Sequence, residues 1–165
     1  METLKILFLD VDGVLTSFRT RCGLGAISGN MKKWDPVACG FLNRLHNVGG
    51  VEFVISSDWR RGRTRKHWEE LLYYNGINPE ALFKGEAWKT AVTYQVRGEE
   101  VDLWLKQNPV WDEYVIVDDD SSFYDHQQKH FVKTDGMEGL TSKDFRKICN
   151  VLNIDLYSLW NRKLT

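Results

Sequence analysis

The chain is predicted to fold as an α/β three-layer sandwich with a central parallel sheet, and three observations carry that expectation. Apolar runs of strand length alternate with segments of helical period, the pattern of β-α units. Three of these runs, KILFL (5–9), VEFVI (51–55) and YVIV (114–117), are almost continuously hydrophobic, as strands covered on both faces are. Each run ends in polar residues: Asp10 with Asp12, Ser56 with Ser57, and Asp118-Asp119-Asp120. With 165 residues, 42% hydrophobic and 13% aromatic, the chain can build one core but not two, so residues 1–165 are expected to form one domain.

Asp12-Gly13 breaks the first strand. Residues from about 16 to 34 carry Gly23, Gly25, Gly29 and several basic side chains with little periodicity, and read as a flap or loop. Asp35-Pro36 starts a helix, Asp as the cap and Pro in the first turn. That helix is expected to turn Val37, Phe41, Leu42 and Leu45 inward and to end near Gly49-Gly50. A second helix, Thr64 to Tyr74, sets Trp68, Leu71 and Leu72 at helical spacing and stops at Asn75-Gly76. Residues 77 to 96 are mixed, with Leu82-Phe83 as a short strand. Gly98 to Gln107 is helical, with Val101, Trp104 and Leu105 on one face, and Asn108-Pro109 ends it. His130 to Lys133 is a short fourth strand. Thr141 to Leu152 is a capped helix with Asp144 in its first turn. Leu156, Leu159 and Trp160 recur at helical spacing, so the tail is expected to pack on the body.

A formal net charge of −1 provides no global basic field, so any nucleic-acid contact has to be a local patch. The first residues lack the features of a signal peptide, and no apolar run approaches the roughly 20 residues that span a bilayer. Cys22, Cys39 and Cys149 are odd in number and without C-x-x-C spacing. They suggest neither a disulfide framework nor a zinc site but reduced thiols, hence a cytoplasmic protein with no membrane partner.

In open α/β sheets ligands bind beyond the carboxyl ends of the strands. Here those ends bring several carboxylates and two hydroxyls to one rim. Carboxylates so crowded raise one another's pKa values unless a cation is present, and an all-oxygen set suits Mg²⁺ ahead of Zn²⁺.

The segment FLDVDGVL resembles the first motif of the haloacid dehalogenase (HAD) superfamily, Asp-x-Asp-Gly-x-[Thr/Val]. The resemblance implies a phosphohydrolase in which Asp10 is nucleophile and metal ligand. Asp12 is then the general acid/base and a metal ligand through its carbonyl. The chemistry suits these types: one carboxylate attacks phosphorus, and the second protonates the leaving oxygen and later activates water. VISSDWR resembles the second motif, with Ser56 donating to a phosphoryl oxygen and with Ser57 and Arg60 on the substrate side, Arg offering a fork to phosphate. YVIVDDDSS resembles the fourth, with Asp118 and Asp119 holding Mg²⁺ and Asp120 either a further acid or structural. The third motif, a cation that stabilises the phosphoaspartyl intermediate, falls to Arg97, with Lys89 as the alternative and otherwise a substrate-side residue. The likeness runs from Ile6 to about Leu140. Within the superfamily the chain is most similar to small phosphatase domains of polyfunctional nucleic-acid repair proteins, akin to the 3′-phosphatase half of polynucleotide kinase-phosphatases. WDPVACGFLNRLH, RGEEVDLWL and HFVKTDGMEGLT add to that likeness.

Small-molecule members of the superfamily usually carry a cap domain, and neither 16–50 nor 61–96 is large enough for one. An open site suits bulky substrates such as RNA or DNA ends or phosphoproteins, and the basic residues favour the nucleic-acid ends. Arg19, Arg21, Lys32, Lys33, Arg60, Arg61, Arg63, Arg65 and Lys66, interleaved with Phe18, Trp34, Trp59 and Trp68, are candidates to track a phosphate backbone and stack on a base. A nucleotidase acting on small phosphate esters is the alternative. A non-catalytic module that kept the fold is a second, which the intact Asp10, Asp12, Ser56 and Asp118/Asp119 set disfavours.

Overall fold

The computed structural model describes residues 3–24, 33–93 and 95–161. Four strands, β1 (Lys5–Leu9), β2 (Val51–Ile55), β3 (Glu113–Asp118) and β4 (Phe131–Lys133), pair in parallel in the order β2-β1-β3-β4. The described helices are α1 (Phe18–Gly23), α2 (Pro36–Asn47), α3 (Arg65–Tyr74), α4 (Arg97–Gln107), α5 (Ser142–Val151) and α6 (Leu156–Asn161). Short 3-10 turns lie at Asp58–Arg60, Pro79–Ala81, Gly85–Trp88 and Asp125–His130.

Side chains alternate along each strand, so the sheet is buried on both sides. Leu7, Leu9, Phe53, Ile55, Val115 and Val117 face the layer of α2, α3 and α5, where Leu42, Leu45, Trp68, Leu72 and Ile148 complete a core. Ile6, Phe8, Val54, Tyr114 and Ile116 face the other way, against Val101 and Trp104 of α4. This is the three-layer sandwich that the continuous apolar runs called for. The described parts of 16–50 form α1 and α2, and 61–96 forms α3 with two 3-10 turns, so no cap domain covers the strand ends among the described residues.

Local caps set the helix phases. Asp35 Oδ1 accepts from the N–H groups of Val37 (2.8 Å) and Ala38 (3.4 Å), with Pro36 in the first turn. Thr141 and Asp144 cap α5 reciprocally. Four expectations need correction. Val37 is 58% exposed: the buried stripe of α2 is Ala38, Cys39, Leu42 and Leu45, and Val37 lies about 100° around the helix from its neighbour on that stripe. The start of the flap is the helix α1, because the Ser17 hydroxyl caps it at Thr20 and its first two N–H groups reach the carbonyls of Gly136 and Met137, partners distant in sequence. Leu82 makes one parallel bridge to Phe53 in place of a strand. Leu159 buries as the tail packs, but Trp160 is 83% exposed. Residues 25–32 of the flap, Lys32 among them, lie outside the described residues.

The phase of α2 is checked by paired substitutions in urea denaturation. Leu42→Ala is expected to cost about 2–5 kcal/mol, and Val37→Ala to stay within about 0.5 kcal/mol. The reverse ranking would place the helix one residue out of register.

Candidate active site

Strand register builds the site. Leu9 is paired with both Ile55 and Val117, so Asp10, Ser56 and Asp118 emerge side by side one residue later. Backbone bonds hold the level: Asp10 N–H to the Val117 carbonyl (3.1 Å), and the N–H groups of Ser56 (3.0 Å) and Ser57 (3.3 Å) to the Leu9 carbonyl. Asp10 and Asp118 are buried, Asp119 partly so, and carboxylate oxygens of the three lie within 4.8 Å of one another.

Arg97, the first residue of α4, reaches into this group. Its Nη1 donates to Asp118 Oδ2 (2.6 Å) and lies 3.3 Å from Asp10 Oδ1; its Nη2 is 4.0 Å from Asp58 Oδ2. One guanidinium does not offset the desolvation. Burial raises the Asp10 pKa against the opposing pull of Arg97 and the Ser57 hydroxyl. Burial first, and the charge of Asp10 second, push Asp118 up to about 7. Asp119 is also raised by burial. Clustered, partly desolvated carboxylate oxygens short of positive charge fit a hard divalent cation such as Mg²⁺, and Asp10, Asp118 and Asp119 are the side chains placed to hold one. Glycine makes room for the third: a Cβ on Gly13, whose φ is +72°, would sit 2.2 Å from Asp119 Oδ2.

Asp12 stands apart from this cluster, exposed, where the chain bends away from β1. Its Oδ1 accepts from Thr16 Oγ1 (2.9 Å) and Arg21 Nη2 (3.1 Å), and its Oδ2 from Trp59 Nε1 (2.8 Å). Ser57 is buried; its hydroxyl bonds Asp10 and accepts from the Trp59 N–H (3.3 Å). The Ser56 hydroxyl is buried and has no partner among the described residues. A buried orphan donor in a folded protein calls for an explanation, and a ligand oxygen is one.

Other expected site residues go elsewhere. Arg60 is 1% exposed, its donors spent on five protein acceptors, so it offers no fork to a substrate. Lys89 lies 4.8 Å over the Trp88 ring with its Nζ 3.5 Å from the Arg63 carbonyl, so Arg97 and not Lys89 meets the carboxylates. Asp120 is exposed and accepts from Ser122 Oγ (2.9 Å) within its own turn, the structural alternative. Arg65 bonds Glu69 and the carbonyls of Leu82, Phe83 and Gly85, and Trp34 and Trp68 are core. Sequence reasoning did not find the Trp59 indole as a donor to Asp12, nor Glu100 as the partner of Arg60. Neither pair has a spacing signal, because the bonds span 47 and 40 residues.

A parallel sheet with paired acids at its switch point, a guanidinium from the preceding helix and a strand-end serine define a HAD-like domain. The family model for the HAD domain in Swiss Army Knife RNA repair proteins matches residues 6–145, and the chain belongs to that family. No curated protein and no solved structure matches the chain significantly. No described helix is long and apolar enough to cross a membrane.

The charge imbalance has a pH signature. With Asp118 at about 7 in the fold and at its ordinary 3.8 when unfolded, the metal-free native state binds the extra proton between these values. Its stability therefore falls as pH rises through that window. A divalent cation held by these carboxylates would compete with those protons, so the rise in melting temperature on adding Mg²⁺ should be larger near pH 8 than near pH 6. Gly13→Ala, which displaces Asp119, should shrink it. An equal Mg²⁺ effect at both pH values, unchanged in Gly13→Ala, would overturn the metal assignment.

Proposed function

We propose that the chain is a Mg²⁺-dependent phosphohydrolase that works through an aspartyl-phosphate and removes phosphate from RNA or DNA ends. The observation that carries the reading is the unpartnered Ser56 hydroxyl at the strand end level with Asp10, whose carboxylate Arg97 meets: an empty donor on the rim that carries a candidate nucleophile and a cation. An Asp10 oxygen attacks phosphorus and the bond from phosphorus to the leaving oxygen breaks, while Asp12 gives that oxygen its proton. Asp12 then takes a proton from water, whose oxygen attacks the same phosphorus, and the bond to Asp10 breaks to release inorganic phosphate. Ser56 and Arg97 hold phosphoryl oxygens as their charge grows. Arg21, exposed and on the short α1, is the partner of Asp12 best placed to yield when substrate arrives. When bound, Mg²⁺ on Asp10, Asp118 and Asp119 supplies charge neutralisation and orientation of the phosphoryl group.

The substrate class rests on the repair proteins in which this family's domain is found and on the rim, which no cap domain covers among the described residues. Solvent-facing cations flank it: Arg21, Arg61 and Lys66, with Arg63 stacked 5.2 Å over the Trp59 ring. Phe18, 59% exposed, is an aromatic free to stack.

Asp10→Asn is expected to fold normally and to lose several orders of magnitude in turnover of an aryl phosphate. EDTA should abolish wild-type turnover and Mg²⁺ restore it; near-normal rates in either case would sink the mechanism. Oligonucleotide turnover at subsaturating substrate should fall with salt more steeply than aryl phosphate turnover, since each phosphate contact releases counterions. Neutralising Arg63 and Lys66 together should weaken oligonucleotide use and spare the small ester. A mononucleotide processed equally well, with the same salt dependence, would favour the nucleotidase alternative.

A further inference from the structure

The side chain expected to grip the substrate is instead the most heavily bonded one near the site. Arg60 closes the 3-10 turn after β2 and folds back under the strand end. Its Nη1 donates to the carbonyls of Ser56 (2.7 Å) and Ser57 (2.8 Å), and its Nε to that of Thr90 (3.0 Å). Its Nη2 donates to the Ala91 carbonyl (3.0 Å) and to Glu100 Oε2 (2.6 Å). That gives one acceptor to each of the five N–H groups of a guanidinium. Glu100 is 5% exposed, and its other oxygen accepts from the Thr93 N–H (2.9 Å).

Three segments meet at this pair. One is the strand end bearing Ser56, whose buried hydroxyl has no partner among the described residues, and Ser57, whose hydroxyl bonds Asp10. The second is the stretch 90–93. The third is the first turn of α4, where Glu100 stands one helical turn after Arg97, so the two move with one rigid backbone. No other direct hydrogen bond given by the described side chains joins Ser56 or Ser57 to α4.

Resting on the phosphohydrolase reading above, we infer that Arg60 and Glu100 are positioning residues: their buried pair sets the separation between the Ser56 hydroxyl and the Arg97 guanidinium, the two donors that take the phosphoryl oxygens. Neither touches substrate. Fixing two backbone carbonyls in succession orients the Ser56 peptide and with it the hydroxyl. Anchoring the same guanidinium on Glu100 ties that orientation to the helix that carries Arg97. Only a planar five-donor fork makes all these bonds; the three donors of a lysine ammonium cannot span both sets of carbonyls and the carboxylate.

The test separates positioning from stability. Wild type, Arg60→Lys, Glu100→Gln and the double variant Arg60→Met/Glu100→Leu are compared in aryl phosphate turnover with Mg²⁺ and in melting temperature, with Leu42→Ala on the far face as a destabilised control. Displacing catalytic donors by about an ångström costs roughly 10²-fold, so Arg60→Lys should lower kcat by about that factor with KM within about threefold. Glu100→Gln, which keeps the shape and the bond to Thr93, should show a smaller loss of the same kind. Replacing a buried ion pair by apolar residues is often neutral or better for stability. The double variant should therefore recover melting temperature without recovering kcat. Leu42→Ala should melt early yet keep kcat near wild type when assayed well below its transition. If kcat follows melting temperature across all of these, the pair is only structural and the proposal falls. If wild type turns over no phosphate ester, the function proposed above fails separately. The staple is then judged by calorimetric binding of inorganic phosphate with Mg²⁺, which Arg60→Lys should weaken by about tenfold, the low end of what outer-shell partners typically cost. Equal affinity, or no phosphate binding by wild type, overturns it.

Discussion

Two buried carboxylates, Asp10 and Asp118, share one guanidinium, and much of the molecule can be read as what makes that arrangement tolerable. Desolvated acids so close resist joint ionisation. They remain at the rim because neither can move: Asp10 follows β1 and Asp118 ends β3, two strands locked in register with each other and buried on both faces. The penalty is drawn from a core large enough to bear it, and it leaves the site with an unmet demand for positive charge. Structures commonly concentrate such locally unfavourable choices where function needs them.

The two acids of the first motif lie two residues apart but in opposite surroundings. Asp10 ends a strand, is 2% exposed and answers to backbone and Arg97. Asp12 lies beyond the bend, open to solvent, among Thr16, Arg21 and Trp59. Environment thus divides identical side chains into one held fast and one free to adapt; under the mechanism proposed above they are the attacker and the proton carrier, a separation that acid-base pairs in hydrolases exploit. The partners of Asp12 come from the segment leading into α1, from α1 and from the turn after β2, so Asp12 is tied to the flap side of the site while Asp10 belongs to the sheet.

The arginines after β2 show how one residue type is sorted by packing. Arg60 is interior and bonds five acceptors; Arg61, its neighbour, faces solvent beside Asp58; Arg65 crosses to the carbonyls of residues 82, 83 and 85. Arg60 is set apart by the 3-10 turn that carries it inward, where it meets chain 30 to 40 residues away, while the partners of Arg65 on α3 lie 17 to 20 residues on.

Periodicity, turn residues and the Asp-x-Asp-Gly signal were enough to place β1 to β4 and the helices from Asp35 to Leu152, and to bring Asp10, Ser56, Asp118 and Asp119 to one rim. These features are local: a continuous apolar run, a capping Asp or Thr and a polar strand end each act within a few residues. Tertiary structure decided the rest. It turned Val37 outward, made the start of the flap a helix by lending it carbonyls from 136 and 137, and hid Arg60. It also chose Arg97 over Lys89 and put the Trp59 indole on Asp12. Each of these outcomes turns on a hydrogen bond or a burial shared between segments distant in the chain. Residue type and spacing do not encode such pairings until the sheet order has brought the segments together.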